Sequence, residues 1–568
     1  MLNALKALVV LLPIIIAVFV AGRFVFRDHV DPARITRWTI IFVSITIFGF
    51  LISNYWIMIV LYGAIMLALV GLKVETNLPV LYVLVICCLP PQFQPLLGFA
   101  GINYLFDISP PMILSLTVLA PALLYFQSMK IKGRGIITTD IFMISFFLLA
   151  IILGFRSTTF TSGLREIWNI SLTIFLPYFV FSRWIKDIDE LKTVIVAIML
   201  PMISMACIAF FETALQWHFY SQPAVNWHGA SGGNYGYRAG FLRAFASVMG
   251  PIEFGFLLMI TMTFAYSLYP RSRLKFVGAG AIAAMFGALM LTFSRGPWIG
   301  VVIATFAFIA SGPKGFKNAM MAGGVSLVLF AGVLVSPIGS SVISVLPFVD
   351  SGDSHGASTI SYRQQLLENG IIVVKRNPLF GTTDYYQQPE MQALIQGQGI
   401  IDIVNSYLQI ALQYGLVGMT LFIGILMSAT YAAWRAMRLS SKYDEELSTY
   451  ARAMFAAMVG VLVVIGTTSS VLQVPIFYWF MAGLSVAVRR IVATDLQTAA
   501  REGTQTQHLK VGADPINSLR VAQEKQEQSA EEIALAKRNA ERKRDARART
   551  VPAHLRQYVR NKPPEPRD

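Results

Sequence analysis

Charge is what this sequence has least of. Only 14% of its 568 residues are Asp, Glu, Lys or Arg, against about 25% in an ordinary soluble domain. A chain this poor in charge, 55% hydrophobic and with a mean hydropathy of +0.60, is neither a soluble enzyme nor a disordered protein. Cysteine is as scarce. Cys87, Cys88 and Cys207 all fall inside apolar runs, which excludes a disulfide scaffold and a zinc site built on spaced thiolates. No internal repeat is visible; an inverted repeat would have favoured a transporter.

What the sequence does have is apolar runs, and about 20 apolar residues cross a bilayer as a helix. The runs cover 5–21, 37–53, 55–71, 78–90, 110–126, 139–155, 167–183, 190–214, 248–269, 274–293, 297–311, 319–336, 404–430, 450–467 and 472–488. They predict an all-α polytopic integral membrane protein with about 12–15 transmembrane helices. Run 78–90 is short, ends in Pro90-Pro91 and is a candidate re-entrant segment. Runs 37–53 and 55–71 are separated only by Asn54, so they form either a tight hairpin or one misdivided region.

Basic residues occur at every second connection. Arg23, Arg27 and Arg34 lie in the first; Lys130, Lys132 and Arg134, then Lys186, Arg271 and Arg273, Lys314 and Lys317, and Arg435, Arg438 and Lys442 follow in turn, and the tail opens with Arg489-Arg490. Lys and Arg accumulate on the cytoplasmic side. The alternation predicts a cytoplasmic tail and outer loops at 215–247 and 337–403. The first run reads as an uncleaved signal-like helix, because Ala21-Gly22-Arg23 is a poor cleavage site. From Arg489 onward there are 17 basic and 11 acidic residues, a net +6; the preceding 488 residues hold 29 and 20, a net +9. Positive-inside loops account for this charge, and no nucleic-acid motif accompanies it.

The expected organisation is a membrane domain over 1–488 and a charged tail over 489–568, helical or disordered, whose basic stretch 537–549 is a candidate contact for anionic lipid. The outer loop 337–403 is long enough to carry structure. Within it, 361–375 reads as an amphipathic helix with Leu366, Leu367, Ile371 and Val374 on one face, ended by Asn377-Pro378. A second short helix is expected over 389–396.

The sharpest functional signal is a set of arginines on the outer side: Arg156, Arg165, Arg238, Arg243, Arg295 and Arg363. Arg295 sits in Leu291-Thr-Phe-Ser-Arg-Gly-Pro-Trp-Ile-Gly300, between two apolar runs with almost no loop. At membrane depth an unpaired arginine costs about 2.5–3.5 kcal/mol. It either snorkels to outer lipid phosphates or binds an anionic group with its planar fork. Arg238 and Arg243 lie in Tyr235-Gly-Tyr-Arg-Ala-Gly-Phe-Leu-Arg243. They are either ordinary loop cations or, with Arg295, a cluster for a diphosphate. The aromatic, Gly-rich stretch 217–237 either offers ring faces to sugars or simply packs.

Carboxylates on that side are fewer. Asp402 and Asn405 stand where a helix begins and are natural caps. Glu212 and Glu253 lie near the outer ends of their segments, where buried carboxylates are candidates for function. His218, His228 and His355 have no metal-ligand spacing and read as loop residues.

The order Ser294-Arg295-Gly296, an apolar hairpin, a long outer loop with Arg363 in an amphipathic helix, Arg376-Asn-Pro-Leu-Phe-Gly381, Asn405-Ser-Tyr-Leu-Gln409 and Tyr414-Gly-Leu-Val-Gly418 resembles the O-antigen ligase and Wzy-type polysaccharide polymerase superfamily. The resemblance covers residues 235–430. It implies a GT-C-like helical fold of the bacterial inner membrane with a large, partly helical periplasmic loop. It also implies transfer of glycan from an undecaprenyl-diphosphate-linked donor to a glycan or lipid acceptor, with neither metal nor cofactor. Inversion at the anomeric carbon is part of that expectation, and a chain-length regulator is a conceivable partner. In one respect the chain departs from the family, which commonly has His-Asn where this sequence has Val404-Asn405. On this reading Arg295 and Arg238 hold the diphosphate, with Arg243 as a third group. Arg363 and Asn405 contact glycan or brace the loop, and Asp402 is the candidate base. Polymerisation of an exopolysaccharide or O-antigen repeat is the expected activity. Ligation to lipid A core, or flipping of a lipid-linked glycan, are the alternatives.

Overall fold

The computed structural model describes residues 2–92, 94–97, 104–128, 135–156, 159–228, 236–238, 240–272, 274–324, 354–395, 399, 401–471 and 473–511. The chain divides into two compact units, residues 1–493 and 494–568. Of the second, helix is described as far as Val511. The expected tail beyond residue 511, including its basic stretch 537–549, the run beyond residue 324, and Lys130, Lys132, Arg134 and Arg273 lie outside the described residues.

The first unit is an all-α polytopic bundle. Helices α1 (Leu2–Val25), α2 (Pro32–Leu51) and α3 (Tyr55–Gly71) open it. Asn54 resolves the ambiguity at 37–71: its side chain accepts from Ile57 N at 3.1 Å and starts α3 as a separate helix. Then comes α4 (Leu78–Val85), every residue of which is buried. It is far too short to span a bilayer, and the chain turns at its end into a hairpin of β1 (Gln94–Leu97) and β2 (Tyr104–Ile108). Irregular backbone of this kind is tolerated within a membrane protein where protein surrounds it.

Next, α5 (Pro110–Leu114) passes through a π turn into α6 (Ala120–Ser128), and α7 (Thr138–Gly154) follows. Helix α8 (Phe160–Ile170) passes through a second π turn into α9 (Leu176–Trp184). Helix α10 (Ile188–Leu215) is buried along most of its length. Beyond the short α11 (Ser221–His228) and a two-residue hairpin, β3 (Tyr237–Arg238) with β4 (Phe241–Leu242), come α12 (Pro251–Leu268), α13 (Lys275–Leu291) and α14 (Arg295–Ala310). The outer-loop region contributes α15 (Ser354–Arg376) and α16 (Pro389–Gln392). The bundle closes with α17 (Ser406–Ser440), α18 (Glu445–Val464) and α19 (Val474–Val511). Among the described residues, seven helices are long and apolar enough to cross a membrane, and five more are apolar but shorter.

The hydrogen bonds and ion pairs between helix ends gather them into two sets. One set gathers the basic connections and gives them partners. Arg183 and Arg490 both reach Asp140, at 3.1 and 2.8 Å, and Tyr178 donates to the same carboxylate at 2.8 Å. Lys192 bonds Glu446 at 3.0 Å, while Arg34 and Trp38 both bond Glu75. At the other set of ends meet the starts of α12, α14, α17 and α19 and the finishes of α13 and α18.

Helix α15 confirms the expected amphipathic helix but not its face. Leu366 and Val373 are buried, with Tyr362 and Val374 packed beside them, in a small second core formed with Tyr385, Met391, Leu394, Ile403, Leu408 and Leu412. Leu367 and Ile371 are exposed. Gly370 decides this. A Cβ there would stand 2.8 Å from the Leu408 side chain, so the helix presses its glycine, not its bulkier neighbours, onto α17.

Candidate functional site

The site is built around the tight connection between α13 and α14. Helix α13 ends at Leu291 and α14 starts at Arg295, with Ser294 as its N-cap residue. Between them Phe293 adopts a left-handed φ of +47°, a conformation costly for a bulky residue and typical of functional sites. Two further non-glycine left-handed residues, Ala246 and Met249, flank the start of α12 nearby. The turn exposes carbonyl oxygens, and arginines take them. Arg243 Nε donates to Thr292 O at 3.0 Å and its Nη2 to Ser294 Oγ at 3.0 Å. Arg238 Nη1 donates to Phe293 O at 3.0 Å. Both arginines are thereby fixed beside Arg295.

Arg363, from α15, belongs to the same cluster, close enough to feel the charge of Arg295. Its Nη2 lies 3.4 Å from Thr467 O, just beyond α18. Thr467 in turn covers Gly296, where a Cβ would stand 2.2 Å from Thr467 Oγ1. The residue after Arg295 must therefore be small for the two elements to meet. Burial, then the charges of Arg295 and Arg363, pull the Arg238 guanidinium below its ordinary value. Burial and Arg238 bring Arg243 down to about 10, against the opposing influence of Glu253. Arg363 is lowered by burial and by Arg295, with Asp402 acting the other way. Four guanidinium groups that disfavour one another's charge are held in one half-buried place. An anion would relieve that repulsion. The first turn of α14 adds backbone N–H groups and the positive end of its dipole, which also favour an anion.

Two carboxylates belong to this cluster. Asp402 Oδ1 accepts from Ser469 Oγ at 2.6 Å, and Tyr362 holds the Asp402 carbonyl at 2.9 Å. Glu253 lies in the first turn of α12, 9% exposed, and feels the charges of both Arg243 and Asp402. Asn405 is not aimed at the cluster: its side chain caps α17, accepting from Leu408 N at 3.1 Å. Val404, at the position of the family's histidine, is buried. A serine network from α17 to α19 backs the site, with Ser406 Oγ bonding Thr468 O at 2.8 Å and Ser470 Oγ bonding Ser406 Oγ at 2.8 Å. Among the described residues, no group of three or more His, Cys, Asp and Glu side chains lies close enough together to hold a metal ion.

The sequence reading treated Glu212 as one unranked candidate and His218 as a loop residue. The structure joins them under the arginine hairpin. Glu212, fully buried at the end of α10, accepts from Phe245 N and Ala246 N at 3.2 and 3.0 Å. His218 Nδ1 lies 3.5 Å from the same oxygen, with its ring stacked on Phe245. Thr213 adds a bond to Leu242 O at 3.2 Å. This clamp holds the strand pair that carries Arg238 and the residues leading to Arg243. The aromatic loop mostly packs: Phe219, Tyr220 and Trp227 are buried, while Tyr237 and Phe241 stay exposed.

Arg156 and Arg165 stand apart from the cluster. Arg156 donates to Gly381 O at 3.0 Å and Gln413 O at 3.3 Å, bracing the junction of the Arg376–Gly381 and Tyr414–Gly418 motifs. Arg165 lies 3.4 Å from Ser162 Oγ on its own helix. Arg376 pairs with Glu390, tying α15 to α16.

No curated protein matches the chain. Residues 280–423 match the family model described as O-Antigen ligase, a stretch that contains Arg295, Arg363, Asp402 and all the motif residues from Ser294 to Gly418 but not Arg238 or Arg243. With seven helices long and apolar enough to cross a membrane among the described residues, the chain is an all-α multi-pass membrane protein, and the matched stretch, about a quarter of its length, is similar to the O-antigen ligase family.

Proposed function

We propose that the chain is an inverting, metal-independent glycosyltransferase that polymerises undecaprenyl-diphosphate-linked oligosaccharide units at the periplasmic face of the bacterial inner membrane. The observation that carries this reading is the convergence of Arg238, Arg243, Arg295 and Arg363 at the start of α14. A lipid diphosphate is the most concentrated negative charge such a donor presents. Guanidinium groups fixed in advance stabilise it as the bond to the sugar breaks, because no reorganisation is needed when the charge develops.

In the reaction an acceptor hydroxyl oxygen bonds the anomeric carbon while the bond from that carbon to the diphosphate oxygen breaks. The lipid diphosphate leaves with the bonding electrons, and the hydroxyl proton passes to a base. Asp402 fits the last role: it adjoins the arginine cluster and is oriented by Ser469. General-base assistance of this kind contributes about 10²–10⁴-fold. Arg238, Arg243 and Arg295 face the diphosphate, and Arg363 links the loop helix to the site. The pattern of basic connections supports an orientation with the large loop in the periplasm and the tail in the cytoplasm.

The test is reconstitution of the full chain in lipid nanodiscs with purified lipid-linked donor. A ladder of lengthening products from donor alone is the result expected of a polymerase. Single transfer to added lipid A core, with no ladder, would mean ligation. Movement of donor across a vesicle membrane with no new glycosidic bond would overturn the enzyme reading in favour of a flippase.

A further inference from the structure

At the ends of the helices away from the arginine cluster, an apolar groove of about 340 Å³ opens between α1, α10, α12 and α13. It exists because the facing surfaces lack side-chain bulk. Ala21 and Gly22 face it from α1, and Gly278, Gly280, Ala281 and Ala284 from α13. Helix α13 fully buries only Met285, Ala288 and Leu289, all in its second half, while in its first half Ala281 and Ile282 are only partly covered. A Cβ on Gly280 would meet nothing within 4 Å. Along α13 the groove runs from Phe276 to Ala284, about 12 Å at 1.5 Å per residue.

The mouth of the groove is not apolar. Ser272 lines it, is 7% exposed, and its Oγ has no hydrogen-bond partner among the described residues. Arg23, next to the lining residue Gly22, has a buried Nε equally without a partner among them. A buried polar atom left unsatisfied points to a ligand or water that completes it. Arg27 follows α1, 3.9 Å from Asp28, and Lys275 opens α13 just before the lining residue Phe276, so basic residues border the lining in sequence. An apolar trough with an unpartnered hydroxyl at one end and basic residues bordering that end in sequence matches one lipid chemistry: an acyl chain carrying an anionic phosphate headgroup.

We propose that this groove is a specific site for an anionic glycerophospholipid, with one acyl chain lying along Ala281 and Ala284 and the phosphate against Ser272 and Arg23. Bound there, the lipid covers the open half of α13, the helix whose other end carries the Thr292–Ser294 turn of the arginine cluster. The site is independent of the activity proposed above.

The experiment is native mass spectrometry of the full chain released from membranes, followed by delipidation and exchange into nanodiscs containing phosphatidylglycerol or phosphatidylcholine. Wild type should retain one phosphatidylglycerol and prefer it over phosphatidylcholine about tenfold. Ala281→Trp, which fills the trough, should lose the retained lipid, and Arg23→Gln should lower the preference several-fold. Because the tryptophan variant can fail to fold, wild type is also labelled with photoactivatable phosphatidylglycerol; adducts should fall in peptides from α1 and the first half of α13. Adducts scattered evenly over the bundle, no retained lipid in wild type, or an isoprenoid in place of a phospholipid would each overturn the proposal.

Discussion

Gly381 and Gly415 meet backbone to backbone. Gly415 breaks the helical path of α17 with φ +67°, and the N–H groups of the next two residues donate to Pro378 O at 2.8 Å and Leu379 O at 3.2 Å. Gly381, at φ +63°, lets Thr382 N return a bond to Leu412 O at 2.8 Å. A Cβ on either glycine would lie 2.3 Å from a carbonyl oxygen of the other segment. The Arg376–Gly381 and Tyr414–Gly418 motifs are thus two halves of one joint that fastens the outer-loop helix to the bundle. Gly415→Ala should cost about 1–3 kcal/mol from backbone strain alone. It should appear as a lower melting temperature in detergent, with a matching loss for Gly381→Ala; unchanged melting in both would show that the joint is not held as described.

The clamp under the arginine hairpin makes a second expectation. Glu212→Ala leaves two buried backbone N–H groups without an acceptor, at about 1–3 kcal/mol each. It should weaken donor binding by releasing the segment that carries Arg238 and Arg243. Glu212→Gln keeps an acceptor oxygen and should retain most donor binding. Equal loss in both variants, with normal folding, would mean that the charge of Glu212 acts directly and not through position.

Much of this was readable in the sequence, for identifiable reasons. Arginine is expensive near a bilayer, so the outer arginines stood out, and four of the six do converge. Asn405 could be read as a cap because capping is local, and the structure keeps it in that role. The joint at Gly381 and Gly415 was visible only as a resemblance, because a contact between backbones 34 positions apart leaves no periodic trace. The face of α15 was misread for a related reason. Apolar spacing nominated Leu367 and Ile371, while Gly370, invisible to a hydrophobic pattern, determined which side approaches α17. Glu212 and His218 were hidden by their separation from the Phe245 backbone they serve.

Asp402 should tolerate loss of its partner better than loss of its charge. Asp402→Asn keeps the size and a hydrogen bond to Ser469 but cannot accept the hydroxyl proton, so turnover should fall about 10²–10⁴-fold with little change in donor binding. Ser469→Ala should cost less than tenfold. An active Asp402→Asn would move the base to Glu253, which interacts electrostatically with Asp402 and with Arg243. Single-turnover assays on the two variants, with Glu253→Gln beside them, separate these outcomes.

Orientation has its own test. The basic connections predict that the outer-loop region is accessible from the periplasm and the tail from the cytoplasm. In a chain without its native cysteines, an impermeant thiol reagent applied from outside should label Ser354→Cys and miss Ser518→Cys. The reverse pattern would put the arginine cluster on the cytoplasmic face, where an undecaprenyl-linked repeat exported for polymerisation would not be found.

Arg295 is where the two readings of an outer arginine part most sharply. If its guanidinium grips the diphosphate, Arg295→Lys should fail nearly as badly as Arg295→Ala, because an ammonium group cannot reproduce a planar two-pronged contact. If it merely reaches for lipid phosphates, lysine should replace it, since both side chains snorkel. A charge-assisted contact made chiefly in the transition state is worth about 3 kcal/mol, roughly a hundredfold in rate. The neighbours sharpen the expectation. Arg238 and Arg243 are already spending donors on Phe293 O, Thr292 O and Ser294 Oγ, so neither can swing across to replace Arg295 without undoing the turn that starts α14. The measurement is glycan formation from purified lipid-linked donor by each variant at matched membrane abundance, with donor binding measured in parallel. Full activity of the lysine variant would remove the diphosphate role and leave Arg295 as an interfacial anchor.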